Sequence, residues 1–217
     1  MAITMDMIKE LRERTGAGVV DCKKVLAEVD GDVDKAVDEL QKRGIAKAAK
    51  KAGRIAAEGH VGCYVHAGGR IAVLVEVNCE SDFVARTPEF KELCEDVAMQ
   101  IAAMNPLYVR EDEIPAEDVN KQTEIFVAQV KEEGKPDKIA PKIVEGKVVK
   151  WKKEVCLVDQ QFVKNDEITV GDLVAQATAK TGEKVTIRRF ARFEVGEGLA
   201  KRECNLAAEI AELQQGG

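Results

Sequence analysis

The sequence predicts an α+β protein in which a three-helix module precedes a core of helices packed on a small antiparallel sheet. Apolar residues recur at three- and four-residue spacing through residues 1–44, the period of helices that bury one face. Around 60–77 and again around 184–195 they follow strand-like patterns. The length of 217 residues allows one ordinary domain and a small one. We therefore expect a helical module with its connector over 1–54, a core domain over 55–195 and a C-terminal helical module over 196–217.

The ends of the first three helices are marked by capping residues. Thr4 is suited to cap a first helix, which ends before the glycine-containing segment 15–18. A second helix is expected over about 19–29, and the Asp-Gly-Asp sequence at 30–32 ends it and caps the next. The third helix is expected to stop at Gly44, since glycine commonly follows the last helical residue.

A basic segment follows the third helix. Between positions 42 and 54 there are six basic residues and no acidic one, and the alanine-rich composition suggests a helical connector. A charge run of this kind is most often a solvated surface. Docking against an acidic partner is the alternative interpretation, and the sequence leaves both open.

The strongest strand pattern is a hairpin. Residues 60–65 alternate, residues 67–70 supply a turn, and residues 71–77 form a nearly continuous apolar run. Such a run predicts a second strand that is buried on both faces. The alternating segment 184–195 is expected to join this hairpin as a third strand.

The remaining helices are predicted from caps and apolar stripes. Thr87 and Pro88 mark a helix start, and an apolar stripe at helical spacing follows them. The stripe consists of Phe90, Leu93, Cys94, Val97, Ala98 and Ile101. Five further helical segments are expected: one from about Pro115 to Gly134, two short ones within 135–157, one over about 170–179 and a last one over 201–213.

Composition excludes several classes of protein. The net charge of −6 and the isoelectric point near 5.2 argue against a general nucleic-acid binder, which gains affinity by neutralising phosphates. No run of 18 apolar residues suggests a membrane span, and the N-terminus lacks the pattern of a signal peptide. The six cysteines contain no Cys-x-x-Cys pair, so we expect reduced thiols in a cytoplasmic protein.

No motif predicts an active site or a cofactor. The segment 16–18 (Gly-Ala-Gly) begins like a dinucleotide loop but lacks the third glycine and a preceding strand, and 182–184 lacks the spacing of a phosphate loop. His60 and His66 have no partners at a recognised zinc spacing. A cysteine–histidine pair that meets only in space is possible in principle, but no sequence feature supports it. We therefore expect neither an enzyme nor a bound metal.

The segment Ser81, Asp82, Phe83 and Val84 is the most conspicuous candidate for a functional site. It lies between the buried strand and the capped helix, in a chain with only nine aromatic residues. Loops held between rigid elements are frequent sites of function. Phe83 on these grounds is either an exposed binding residue or an anchor tucked into the core.

Four stretches resemble the translation elongation factor Ts family. They are residues 11–24 (LRERTGAGVVDCKK), 46–52 (AKAAKKA), 76–85 (EVNCESDFVA) and 189–198 (RFARFEVGEG). Members of that family are guanine-nucleotide exchange factors for elongation factor Tu, the GTPase that delivers aminoacyl-tRNA to the ribosome. The resemblance covers nearly the whole chain and implies a ubiquitin-associated-like N-terminal module, a core and a C-terminal helix that grip the GTPase.

The resemblance also implies roles for particular residues. In the family, the loop that corresponds to Ser81, Asp82, Phe83 and Val84 acts on the nucleotide domain of elongation factor Tu, where the Phe wedges between helices and Mg²⁺ is dislodged. The resemblance therefore favours an exposed Phe83. The residues at the positions of the family's N-terminal docking motif are Lys9, Arg12, Val19, Val20 and Lys23.

Three departures from the family pattern affect this expectation. Val19 and Val20 replace a Met pair, and Ser81 replaces the usual Thr. The chain is also a short form, with one core unit where long members have two and an inserted coiled coil. A single unit suggests a homodimer that rebuilds the longer form, with 184–195 as the candidate interface, although a retained C-terminal helix makes a monomer conceivable.

Two other functions are compatible with the sequence. The first is a binding or chaperone module in which residues 1–44 recognise ubiquitin-like proteins or nascent chains without exchange activity. The second is a thiol enzyme, which requires one cysteine with a strongly lowered pKa.

Overall fold

The computed structural model describes residues 3–136 and 138–199, so the helix expected over 201–213 lies outside the described residues. Three helices form the N-terminal module: α1 (Met5–Thr15), α2 (Val19–Glu28) and α3 (Val33–Lys51). The α+β class and the N-terminal helices are confirmed. The module has a hydrophobic cluster of its own, made of Ile8, Leu11, Cys22, Val25, Leu26 and Ala36.

The predicted caps of the first and third helices are confirmed. The Thr4 hydroxyl accepts a hydrogen bond from the Met7 N–H at 3.3 Å. The Asp32 carboxylate accepts one from the Lys35 N–H at 3.1 Å. Each cap satisfies a backbone N–H that has no partner within its helix.

The prediction that the third helix stops at Gly44 is wrong. Helix α3 continues to Lys51 and includes much of the basic connector. Gly44 is buried, and a Cβ placed there would lie 3.5 Å from the Cβ of Ala179. The glycine therefore serves a close contact between helices, and the alanines that follow it favour continued helix.

The core contains a three-stranded antiparallel sheet in the order β1 (Glu58–Val65), β2 (Ile71–Cys79), β5 (Thr186–Glu194). The hairpin and the third strand are as predicted. Helix α5 (Pro88–Met104) begins at the predicted cap, where the Phe90 N–H donates to the Thr87 hydroxyl at 3.3 Å. All six residues of its predicted apolar stripe are buried.

The prediction that the second strand is buried on both faces is wrong. Val73, Val75 and Val77 point into the core beside α5, but Leu74 on the opposite face is 50% exposed. An apolar run does not say whether a second layer covers the sheet. Helices of the same chain cover one face of this sheet, whereas the described residues leave Leu74 on the other face half-exposed.

Two further segments differ from the prediction. Residues 140–155 form one helix rather than two short ones, because Gly146 lies in open space and costs the helix only about 1 kcal/mol. The two-stranded sheet formed by β3 (Gln161–Phe162) and β4 (Asn165–Thr169) was not predicted, since strands so short show no clear alternation. The remaining helices are α4 (Asp82–Ala85), α6 (Ala116–Glu132), α7 (Ala140–Val155) and α8 (Val170–Thr181).

The N-terminal module is attached to the core through the end of α3. The Lys51 ammonium donates to the carbonyl of Gly182, directly after α8. The Lys184 ammonium donates to the carbonyls of Ala52 at 2.6 Å and Arg54 at 2.8 Å.

The predicted domain boundaries at 54/55 and 195/196 stay predictions. None of the described helices combines the length and apolar character that crossing a membrane requires.

Candidate functional site

Residues 81–84, here called the 81–84 turn, do not form the loop expected from sequence. Asp82–Ala85 is a single turn of helix, α4, with Ser81 as its N-cap. Phe83 lies on the outer side of this turn and is 82% exposed. Val84, by contrast, packs against the core. The turn therefore presents one aromatic side chain to solvent while its neighbour attaches the turn to the protein.

The beginning of the 81–84 turn is held by a carboxylate that is distant in sequence. One oxygen of Glu183, Oε2, accepts hydrogen bonds from the backbone N–H of Glu80 at 3.1 Å and from that of Ser81 at 2.9 Å. The other oxygen, Oε1, accepts from the Ser81 hydroxyl at 2.6 Å. In the sequence, Glu183 is part of a stretch that lacks the spacing of a phosphate loop, and no local pattern indicates this role.

The end of the turn is held by the cap of the next helix. The carbonyl of Val84 accepts hydrogen bonds from the Thr87 hydroxyl at 2.8 Å and from the Thr87 N–H at 3.0 Å. Because the same hydroxyl caps α5, the 81–84 turn is continuous with one of the longest helices of the core. The exposed ion pair of Asp82 and Arg86, at 2.8 Å, adds little.

The residue before the turn links it to the connector. A carboxylate oxygen of Glu80 accepts a hydrogen bond from the Lys184 N–H at 2.6 Å and lies 3.3 Å from the Arg54 guanidinium. These contacts, the Lys184 amide foremost, hold the pKa of Glu80 below its usual range. Three segments therefore meet at the base of the 81–84 turn: the end of the connector, the end of β2 and the turn between α8 and β5.

The five predicted docking residues of the N-terminal module are all exposed, and we call them the N-terminal patch. Lys9 and Arg12 lie three residues apart on α1. Val19, Val20 and Lys23 lie on the exposed side of α2, opposite its buried Cys22, Val25 and Leu26. Val20 is 80% exposed, which is a high value for an apolar side chain in the first turn of a helix.

A second exposed apolar surface lies on the sheet. The cross-strand rows Cys63–Leu74–Ala191 and Val65–Ala72–Phe193 share the face that does not contact α5. Together with Val61 these residues form the outer sheet face; Phe193 on it is 69% exposed. The third strand was predicted from the sequence but this apolar face was not, because the apolar run of β2 indicated burial on both faces.

The cysteines and histidines show no arrangement of a reactive centre within the described ranges. Burial raises the pKa of the Cys94 thiol to about 12 and that of Cys156 to about 11, and it also raises the pKa values of Cys22 and Cys79. A nucleophilic thiol needs a shift in the opposite direction. In the same ranges no three His, Cys, Asp or Glu side chains are grouped to hold a metal ion.

The fold and these exposed surfaces define a protein that acts by binding a macromolecular partner. Comparison with known proteins identifies its family. The family model of elongation factor TS matches residues 6–197. Elongation factor Ts of Heliobacterium modesticaldum is 58% identical over 208 residues, which are 96% of this chain and 97% of the relative. Elongation factor Ts of Syntrophomonas wolfei is 57% identical over 208 residues, with the same shares, and that of Myxococcus xanthus is 54% identical over 209 residues, with 96% of each chain covered.

The chain belongs to the elongation factor Ts family. Its general role is therefore that of a translation elongation factor in protein biosynthesis, which promotes nucleotide exchange on elongation factor Tu. The resemblance noted in the sequence is confirmed over nearly the whole chain.

Proposed function

We propose that the chain releases GDP from elongation factor Tu by inserting the 81–84 turn into the nucleotide domain of that GTPase. Phe83 wedges between helices of that domain, and the disturbed helices lose their hold on Mg²⁺. The observation that best supports this is an aromatic side chain that is 82% exposed on a turn held at both ends. Phe at such a position contributes little to folding and is suited to binding.

Removal of Mg²⁺ is an effective way to release the nucleotide. Mg²⁺ requires nearly ideal octahedral geometry and shares its ligand shell with the phosphates of the nucleotide. A small displacement of that shell therefore weakens both the metal and the nucleotide. The exchange factor needs only to bind the nucleotide-free GTPase better than the GDP-bound one, and reciprocity then lowers the affinity for GDP. No covalent chemistry, cofactor or metal of its own is required.

The N-terminal patch is proposed to dock on the same domain of elongation factor Tu. Val19 and Val20 provide exposed apolar area, and Lys9, Arg12 and Lys23 provide exposed positive charge on the same two helices. Such an apolar centre with a charged rim is the usual composition of a protein interface. The partner is a protein in the cytoplasm, and neither nucleic acid nor a membrane takes part directly.

Two points of contact act together only if the distance between them is fixed. The hydrogen bonds of Lys51 and Lys184 to the opposite segments attach the end of α3 to the turn after α8. The same turn holds the 81–84 turn through Glu183. We therefore expect that docking of the N-terminal patch positions Phe83 over its target at little further entropic cost.

We further propose that two copies of the chain pair through the outer sheet face. The two apolar rows span all three strands, and sheet-on-sheet packing of two such faces forms an ordinary core about 10 Å thick. Pairing by a two-fold axis buries the same surface on both chains, including Leu74 and Phe193. Light scattering at micromolar concentration is expected to show a dimer that binds two GTPases. A monomer that forms a 1:1 complex contradicts this pairing.

The exchange activity is tested by mixing the chain with elongation factor Tu that holds fluorescent GDP. Release of the labelled nucleotide is expected to accelerate with increasing concentration of the chain. The absence of any acceleration overturns the proposed function as a whole, whereas acceleration without dependence on Phe83 overturns only the wedge.

A further inference from the structure

We propose that Glu183 is the positioning residue of the 81–84 turn and sets the rate of nucleotide exchange through the placement of Phe83. The inference rests on the proposed function of that turn. Glu183 itself lies in the turn between α8 and β5, about a hundred positions after Ser81 in the chain. Neither the resemblance nor the family assignment gives it a role.

The need for such a residue follows from the length of α4. A helix of four residues is a single turn, and the N–H groups at its start have no partners within the helix. Nucleation of a single turn is unfavourable on its own. The two carboxylate oxygens of Glu183 provide acceptors for the N–H groups of Glu80 and Ser81 and for the Ser81 hydroxyl, at 3.1, 2.9 and 2.6 Å. Hydrogen bonds to an ionised acceptor are the stronger ones in proteins.

The Ser81 hydroxyl transmits this contact into the helix. Its hydrogen is donated to Glu183, and its oxygen accepts the Val84 N–H at 3.4 Å. Donation to a carboxylate makes the hydroxyl oxygen a better acceptor. The carboxylate therefore orients the residue that caps the turn, and Phe83 lies between Ser81 and Val84.

Glu183 is itself held firmly enough to act as a fixed point. Gly182 has φ +75° and closes α8, with its N–H donating to the Thr178 carbonyl at 3.1 Å. On the other side, the Lys184 N–H donates to the Glu80 carboxylate at 2.6 Å. The two turns thus exchange hydrogen bonds in both directions, since Glu183 accepts from the Glu80 N–H and Glu80 accepts from the Lys184 N–H.

Loss of this contact is expected to change the position of Phe83 more than the stability of the core. Phe83 has few contacts that restrict it, because most of its surface is exposed. When only a fraction of the molecules holds the binding conformation, the apparent affinity is the intrinsic affinity multiplied by that fraction. We therefore expect Glu183→Gln, which keeps the size but removes the charge and leaves one acceptor oxygen where the carboxylate has two, to lower exchange about 5- to 20-fold.

The experiment is a double-mutant cycle between Glu183→Gln and Phe83→Ala, measured as the second-order rate constant of GDP release from elongation factor Tu. Positioning predicts a 5- to 20-fold loss in the wild-type background and less than about a twofold loss when Phe83 is already absent, since coupled sites are not additive. Glu167→Gln, which removes the charge of an exposed glutamate on β4, is the matched control and is expected to change neither value.

Hydrogen exchange gives a readout that a general structural role does not produce. We expect faster amide exchange in residues 80–87 of Glu183→Gln and unchanged exchange in α1 and α2.

Equal losses of the rate of GDP release in the wild-type and Phe83→Ala backgrounds, or no loss at all, overturn the positioning role. If Glu183→Gln does not fold, Ser81→Ala replaces it in the same cycle, because it removes the 2.6 Å contact and the cap that this contact orients, and leaves the two backbone hydrogen bonds. A result in which Phe83→Ala alone has no effect refutes the proposed wedge instead.

Discussion

Replacement of Phe83 by Ala is expected to reduce exchange strongly while leaving the fold intact. The side chain is 82% exposed in the free protein, so little of its area is buried by folding. Substitutions of surface residues of this kind usually change the free energy of unfolding by no more than about 0.5 kcal/mol. A urea titration of Phe83→Ala is therefore expected to match that of the wild type.

The size of the expected effect on exchange follows from the area that the partner can cover. An aromatic side chain buries about 150–250 Å², so covering the exposed part of Phe83 removes roughly 120–200 Å² from water. At about 25 cal/mol/Å² this corresponds to an upper limit of about 3–5 kcal/mol. Since ordering of the interface offsets part of it, we expect a loss of at least about 2 kcal/mol, the threshold of a hot-spot residue. That is about 30-fold in the rate constant.

The assay is stopped-flow release of fluorescent GDP from elongation factor Tu at several concentrations of each variant. Leu107→Ala is the control, because Leu107 is another exposed apolar side chain outside the 81–84 turn and the N-terminal patch. The control is expected to release GDP like the wild type. A rate constant of Phe83→Ala within twofold of the wild-type value refutes the reasoning from exposure to binding.

Three other predictions concern stability and assembly. Gly62→Ala is expected to lower the free energy of unfolding by about 1–3 kcal/mol, because its Cβ meets the Cys94 carbonyl oxygen at 2.7 Å. Gly146→Ala, in open space within α7, is expected to raise it by about 0.5–1 kcal/mol. Urea unfolding measures both, and equal values contradict the packing of β1 on α5. Two arginines of β5 lower the pKa of Glu76 from its ordinary value of 4.5 to about 2, so its contribution to stability is complete above pH 4.5 and is lost as the pH falls toward 2. The difference in unfolding free energy between wild type and Glu76→Gln is therefore expected to shrink over that range, and a constant difference argues against the ion pairs. Phe193→Asp is expected to convert the dimer into a folded monomer in light scattering, and a persistent dimer assigns the interface elsewhere.

Features specified by neighbouring residues were predictable from sequence. The caps at Thr4, Asp32 and Thr87 depend on a side chain and an N–H three residues apart, so a short window contains the whole interaction. The apolar stripe of α5 is equally local, because a helical period of 3.6 residues places its members on one side. The sequence also singled out Phe83 as unusual, although its exposure became an expectation only through the family resemblance.

Features that depend on distant segments were not predictable in this way. The residue that holds the 81–84 turn, Glu183, is about a hundred positions away, and its spacing has no pattern that identifies it. The open face of β2 was missed because Leu74 has the same apolar character as the buried valines beside it. Gly44 looked like a helix end, but it lies buried inside α3, where a neighbouring helix packs close to it. In all three cases the outcome depends on how distant parts of the chain are placed.

The most direct test of the proposed mechanism is the release of fluorescent GDP from elongation factor Tu, measured for wild type and Phe83→Ala with Mg²⁺ present and with Mg²⁺ chelated. If Phe83 acts by dislodging Mg²⁺, the loss of about 30-fold or more expected for Phe83→Ala appears in the presence of the metal and becomes small in its absence. An equal loss under both conditions contradicts the displacement of Mg²⁺ by the 81–84 turn.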